Sequence, residues 1–505
     1  MEAYPLFPLS TAPFVPGTQA LYTHADGDCL RFDTYFGALS GMALRRYTAL
    51  REAGLVIRTS GDGEAALCRR TRSGMEETLQ SVPVTGGTEA CFPFNVESDA
   101  LYYLRLKGCG LMSGRFVTGQ APSLPKVAIV VCTFRREAEV IRSLTALAGE
   151  INRRAELREV FHIFCVDNGR TLTGAQLAGC GECVTLLQNR NLGGSGGYTR
   201  GLMEALNADE GYTHAWLMDD DIAADPAVLW RVRMALAYLA PEHSGLQLAA
   251  GMLPFDRPCL QYEATARYDG RTFHSNRAGL NLAEPEKLLE NEKEASADYA
   301  AWWSLVLPLR AVREKGLPMP FFIKIDDVEY GLRTGGETAA LNGLGVWHPS
   351  FSEKTNAYLE YYVTRNSLIT LALHPKLGAA ASSVLSGRLL KAVAYGEPAY
   401  MAAAARGAED YLKGAAFLLA ADGEALNDAI RAEYSKPGVP FAGRKDMLFA
   451  ALRHALTPSA LKCLRLYLPI LRRLKKESPA VAEEYARRRG ELCAEKGWRE
   501  RLGLR

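Results

Sequence analysis

Asp219, Asp220 and Asp221 stand in a row directly after the apolar stretch Ala215-Trp216-Leu217-Met218. That stretch reads as a buried strand, so the acids fall at its carboxyl end, the edge of an open α/β sheet where ligands bind. Adjacent carboxylates repel, and burying them without a partner is costly. A hard divalent cation offsets that cost, and Mg2+ or Mn2+ suits carboxylate together with phosphate oxygens. A solvated acidic turn is the plainer alternative; the strand in front favours a metal. His348, after Val346-Trp347, is a further candidate ligand, although most lone histidines are not ligands.

A second acidic pair, Asp326-Asp327, follows the apolar Phe321-Phe322-Ile323 and Lys324-Ile325. Paired carboxylates raise one another's pKa, which suits a general base, and a helix N-cap explains the pair equally well. Trp302-Trp303 is a rare dipeptide whose indoles either wall a sugar site or fill a core. Asn191-Leu192-Gly193-Gly194-Ser195-Gly196-Gly197 is a glycine-rich entry to a helix. It either lets backbone approach an anion or makes a tight turn. It lacks the Gly-Lys-Ser/Thr of a Walker A loop, and Thr199 stands where the last glycine of G-x-G-x-x-G would be.

These residues need a scaffold, and three textures supply it. Residues 1–121 alternate with period two, as at Tyr102 to Lys107, and predict a small β-sandwich; Asp62-Gly63 predicts a hairpin turn. Residues 122–358 repeat strand and helix: strands over Val127 to Val131, Val160 to Val166, Val184 to Leu187 and His214 to Met218, helices over Glu137 to Leu147 and Tyr198 to Leu206. Repetition of that kind predicts a mostly parallel sheet with right-handed crossovers. Leu260 to Ala266 is strand-like. Residues 359–505 are rich in Ala, Leu and Arg and predict a helical domain. Within it, Leu461 to Lys476 is basic and amphipathic; it fits a bundle helix, or a segment lying on an anionic membrane, with Pro469 as an interruption.

The bulk numbers exclude some classes. A length of 505 residues implies two to four domains. A net charge of +2 gives no reason to expect a nucleic-acid partner. Eleven scattered cysteines point to a reducing compartment, and the lone Cys180-x-x-Cys183 reads as two free thiols. No signal peptide and no apolar run of about 20 residues stand out, so a cytoplasmic protein, peripheral to the membrane at most, is expected.

The order of these features resembles the GT-A fold of family 2 inverting glycosyltransferases. It is closer still to the bacterial galactofuranosyltransferases of cell-wall galactan synthesis. The resemblance lies in Asn191 to Gly197, Asp219 to Asp221, Trp302-Trp303, Ile323 to Arg333 and, in the first region, Phe32 to Phe36. It implies a GT-A core between the β-sandwich and the helical domain. It implies Mn2+ or Mg2+ on Asp219, Asp221 and His348, with Asp327 as general base. Arg136, Asn168, Asn191 and Asp220 would face the UDP-sugar donor; Trp302, Trp303, Asp326 and Glu263 would face a glycan or lipid-linked glycan acceptor. A homo-oligomer is compatible with the resemblance. The donor is expected to be UDP-galactofuranose, with other UDP-hexoses or dTDP-rhamnose as alternatives on the same fold.

Two competing classes remain. A sugar-nucleotide pyrophosphorylase would carry a glycine-rich basic loop after the first strand, where this chain has Thr133-Phe134-Arg135-Arg136. A non-catalytic glycan-binding scaffold would have no need of intact Asp219, Asp221 and Asp327.

Overall fold

The computed structural model describes residues 3–350, 355–438, 444–454 and 457–504, without the side chains of residues 444, 459, 460 and 462–464. Its centre is a seven-stranded mixed sheet. The strands are β1 (Val127–Thr133), β2 (Phe161–Asp167), β3 (Val184–Gln188), β4 (His214–Asp219), β5 (Gln247–Pro254), β6 (Ser304–Pro308) and β7 (Thr338–His348), in spatial order β3-β2-β1-β4-β6-β5-β7. β3, β2, β1 and β4 are mutually parallel. β6 runs antiparallel to β4 and β5, and β7 is parallel to β5. The central strands are apolar on both faces because helices cover both sides. β5, β6 and β7 lay outside the strands read from sequence.

Helices α1 (Glu137–Arg153), α2 (Gly193–Asn207) and α3 (Ala227–Ala237) pack around this sheet. The helix expected from Tyr198 begins at Gly193, so the glycine-rich stretch is the first turns of α2 rather than a loop before it. The glycines serve close packing. A Cβ on Gly197 would run into the Cys132 sulfur of β1, and one on Gly201 into Val130. Any bulkier residue would push α2 off the sheet.

The first region is two antiparallel sheets. One holds Tyr4–Pro8, Leu111–Thr118, Glu52–Thr59 and Glu89–Asn95; the other is centred on Ala100–Lys107 and Gly63–Thr71. Phe94 of the first meets Tyr102 of the second at 4.4 Å between ring centroids. The hairpin expected at Asp62-Gly63 does not form. Glu52–Thr59 and Gly63–Thr71 belong to different sheets, and Asp62 accepts a hydrogen bond from Gly86 instead. Both flanking strands carry runs of consecutive buried residues, so each finds partners elsewhere rather than pairing with the other.

This region shares one hydrophobic cluster with the central sheet. Tyr35 donates to the Leu344 carbonyl on β7 at 2.8 Å, and Phe36 packs on Trp347 at 5.8 Å. Arg231 of α3 donates to the carbonyls of Phe36 and Ala38. The N-terminal sheets therefore brace the strand that ends in His348.

After β7 the chain is helical, beginning with α5 (Tyr358–Leu373), preceded in sequence by the short α4 (Asp326–Thr334). Helices α6 (Pro398–Leu412), α7 (Gly423–Tyr434), α8 (Arg444–His454) and α9 (Pro458–Leu492) follow. Pro469 does not interrupt α9, which runs on through it and through Pro479. Tyr467, Ile470 and Leu474 form its buried stripe, a helical spacing that seats one face on the bundle while Leu466, Leu468 and the basic side chains point outward. Leu260 to Ala264 is irregular; the strand there is Thr265–Tyr268, and Glu263 is held by an isolated bridge to Met252.

Candidate active site

Of the three acids, Asp219 is the last residue of β4, and Asp220 and Asp221 lie in the turn that follows. Asp219 and Asp221 turn toward His348 at the end of β7, and the ligand atoms of these three lie within 4.8 Å of one another. His348 Nε2 is 3.3 Å from Asp221 Oδ1 and 3.8 Å from Asp219 Oδ2. Its Nδ1 faces the Pro349 carbonyl at 2.6 Å, an acceptor that fixes the proton on Nδ1 and leaves the Nε2 lone pair facing the carboxylates. Two carboxylates and one imidazole nitrogen are the donor set a divalent Mn2+ or Mg2+ ion takes, so the residues present fit such an ion. Tyr198 of α2 donates to Asp219 Oδ1 at 2.7 Å and holds that carboxylate in place.

Asp220 stands outside this group. It accepts from Thr133 at 2.7 Å and from Arg136 at 3.1 Å, and burial lifts its pKa to about 6 against the pull of Arg136. Arg136 also reaches Asp221 at 2.6 Å. From the cleft side it thus bridges two of the three acids.

Asp326 and Asp327 open α4. The expected alternative, an N-cap, is not what the pair makes: the cap residue is Ile325, whose side chain makes no capping bond, and both acids sit inside the first turn. Ser195 of α2 donates to Asp326 Oδ2 at 2.8 Å. Burial first, and the neighbouring Asp326 second, hold the Asp327 carboxyl well above the usual carboxylate range. Farther along α4, Glu329 and Arg333 form a buried pair that also receives His374, locking the helix to the bundle.

A cleft of about 680 Å³ runs between the two acidic groups, lined by Arg136, Tyr198, Asp219, Trp302, Trp303, Asp326 and Asp327. A second cleft of about 380 Å³ adjoins it, sharing Trp303 and Asp327 and adding Glu263, Tyr299, Arg388 and Lys391. Trp303 donates to the Ala250 carbonyl, whereas the Trp302 indole N–H is buried without a hydrogen-bond partner. Glu263 accepts from Ser275, and burial raises its pKa.

Asn168 and Asn191 are buried and are not among the residues that line the cleft. Asn168 donates to the Gly193 carbonyl and accepts from Asn189; Asn191 accepts from the Gly193 amide. Both amides thereby organise the start of α2, where Gly193 has φ 68°. Arg431 of α7 lines the cleft as well and stacks on Tyr358 at 4.8 Å. Sequence reading missed it, because its helix lies about a hundred residues downstream and nothing local marks it.

Residues 125–363 match the model of the family described as Glycosyltransferase like family 2. That segment is similar to the glycosyltransferase domain of this family. The chain is also similar to the galactofuranosyltransferases GlfT2 of Mycolicibacterium smegmatis, at 27% identity, and of Mycobacterium tuberculosis, at 28%. Each match covers 68% of this chain; it covers 57% of the first relative and 58% of the second, so the chain spans less than two thirds of either. Among solved structures, the mannosyltransferase PcManGT of Pyrobaculum calidifontis, in complex with GDP-Man and Mn2+, aligns with a TM-score of 0.34 at 13% identity, over 73% of this chain and 89% of that one.

Proposed function

We propose that this chain is an inverting, metal-dependent glycosyltransferase that moves galactofuranose from UDP-galactofuranose to a glycan or lipid-linked glycan. The observation that carries the reading is the cleft with a metal-type cluster at one side and a separate half-buried carboxylate, Asp327, at the other. The similarity to two galactofuranosyltransferases supports the donor.

Asp219, Asp221 and His348 would hold the cation, and when bound it supplies Lewis-acid stabilisation of the diphosphate leaving group. Arg136 anchors the acids that surround it. Asp327 accepts the proton of the acceptor hydroxyl while that oxygen bonds to the anomeric carbon and the bond from that carbon to the UDP oxygen breaks. A single displacement of this kind inverts the anomeric centre. Trp302 and Trp303 offer apolar indole surface to the sugars, and the smaller cleft with Glu263 receives the acceptor.

The direct test is UDP release from UDP-galactofuranose with and without Mn2+, beside a donor panel of UDP-galactopyranose, UDP-glucose and dTDP-rhamnose. Turnover confined to the furanose donor and dependent on metal is expected. Preference for another donor would replace the substrate, and absence of turnover with every donor would favour a glycan-binding scaffold.

The helical region bears on where the acceptor resides. No helix among the described residues is long and apolar enough to cross a membrane. Phe449 and Leu452 of α8 are 69% and 73% exposed, and α9 exposes Leu466 and Leu468 beside Arg465 and Arg472. Apolar and basic side chains together fit peripheral contact with anionic lipid, near a lipid-linked acceptor. Flotation with anionic vesicles tests this; a stable oligomer that stays off the vesicles would assign the surface to self-association.

A further inference from the structure

The segment that delivers Asp326 and Asp327 holds a backbone its own residues disfavour. Phe322, Lys324 and Ile325 have φ of 74°, 67° and 67°. None is glycine, and a β-branched residue such as Ile325 in the left-handed region is an outlier. Such a conformation persists only where the surroundings over-determine it.

Those surroundings come from α5, in the helical region. Asn366 is fully buried, and its amide nitrogen reaches the carbonyls of Ile323 at 3.0 Å and Lys324 at 2.8 Å, with a longer approach of 3.3 Å to Phe321. Arg365 beside it donates to the Phe321 carbonyl at 2.8 Å and to Asn366 Oδ1 at 3.0 Å. The second of these bonds fixes the amide with its nitrogen toward the turn. A left-handed turn leaves successive carbonyls converging on one point, and a side chain with two N–H groups and an oriented oxygen is what that point requires.

We infer that Asn366 is a positioning residue for the base: its amide holds the left-handed turn and thereby sets where Asp327 projects into the cleft. The residue touches no reacting atom. The inference rests on the reading of Asp327 as base, and it makes the helical region part of the catalytic apparatus.

The test uses the full chain with UDP-galactofuranose, acceptor and saturating Mn2+. A displaced catalytic group costs on the order of 10²-fold in rate, so Asn366→Ala should lower kcat by about 10- to 100-fold. Donor KM and Mn2+–UDP affinity should stay near their original values. Asn366→Asp keeps the shape and loses the N–H donors, and should behave alike if the alanine variant does not fold. Lys324→Gly removes the Cβ that disfavours positive φ, so in that background the substitutions at Asn366 should cost much less kcat. An unchanged kcat of folded Asn366→Ala and Asn366→Asp overturns the inference. So does a loss that Lys324→Gly leaves undiminished. Turnover retained by Asp327→Asn would instead remove the base reading, leaving the two failures distinguishable.

Discussion

The two acidic walls of the cleft are built by opposite means. Asp219 ends a strand buried on both faces and Asp221 follows two residues later in the turn, so a short local segment brings both carboxylates to His348. Asp326 and Asp327 follow three residues in left-handed backbone, fixed by Asn366 and Arg365 from a helix about forty residues later. The proposed metal ligands need only a strand end and its turn, with Tyr198 and the Pro349 carbonyl orienting Asp219 and His348. The proposed base must be aimed by the protein, and the position of Asp327 comes from tertiary contacts.

The sharpest way to break the comparison is to silence one wall at a time. General-base catalysis contributes about 10²–10⁴-fold, so Asp327→Asn should cut kcat by that factor while Mn2+–UDP binding by calorimetry persists. Loss of UDP binding in that variant, with normal turnover of what binds, would move Asp327 out of the role. On the other wall, His348→Ala removes a proposed ligand outright. It should weaken Mn2+ by more than the ~10–100-fold that a lost supporting partner costs, with the deficit relieved at high Mn2+. Rates insensitive to metal in both proteins would sink the ligand assignment.

A smaller effect refines the base wall. Asp327 must be ionised to accept a proton, and its pKa lies above the ordinary carboxylate range, so kcat should fall as pH drops through that raised value. Asp326→Asn removes the adjacent negative charge, which should shift the acid limb downward by about one unit. An unmoved or upward-shifted limb would mean that burial alone sets it. The smallest effect concerns the scaffold both walls share. Gly197→Ala places a methyl against the Cys132 sulfur, and overpacking of this kind costs about 1–3 kcal/mol. Chemical denaturation measures it; full stability would mean that α2 shifts freely on β1.

Much of the first wall was legible in the residues themselves. An apolar run ending in three acids specifies strand, edge and charge with no reference to the rest of the chain, and the four parallel strands followed from the same kind of run. β5 and β7 were not legible, because Gln247–Pro254 and Thr338–His348 place glycine or polar residues in strands whose burial is set by neighbours, and the β6 run Ser304–Pro308 is too short to tell strand from helix by pattern. The hairpin at Asp62-Gly63 failed for a related reason. A turn sequence fixes where the chain bends, not which sheet each arm joins. Arg431 and Asn366 carried no local signal at all, since their partners lie far away in the sequence.

The sequence by itself determined the acids, their order, and the strands and helices whose periodicity buries one face or both. Only the tertiary structure decided that His348 meets Asp219 and Asp221, that Asp327 projects into the same cleft, and that Asn366 holds the turn between them. Local patterns encode short-range preference, whereas a site is a meeting of segments, and which segments meet depends on how the whole chain packs.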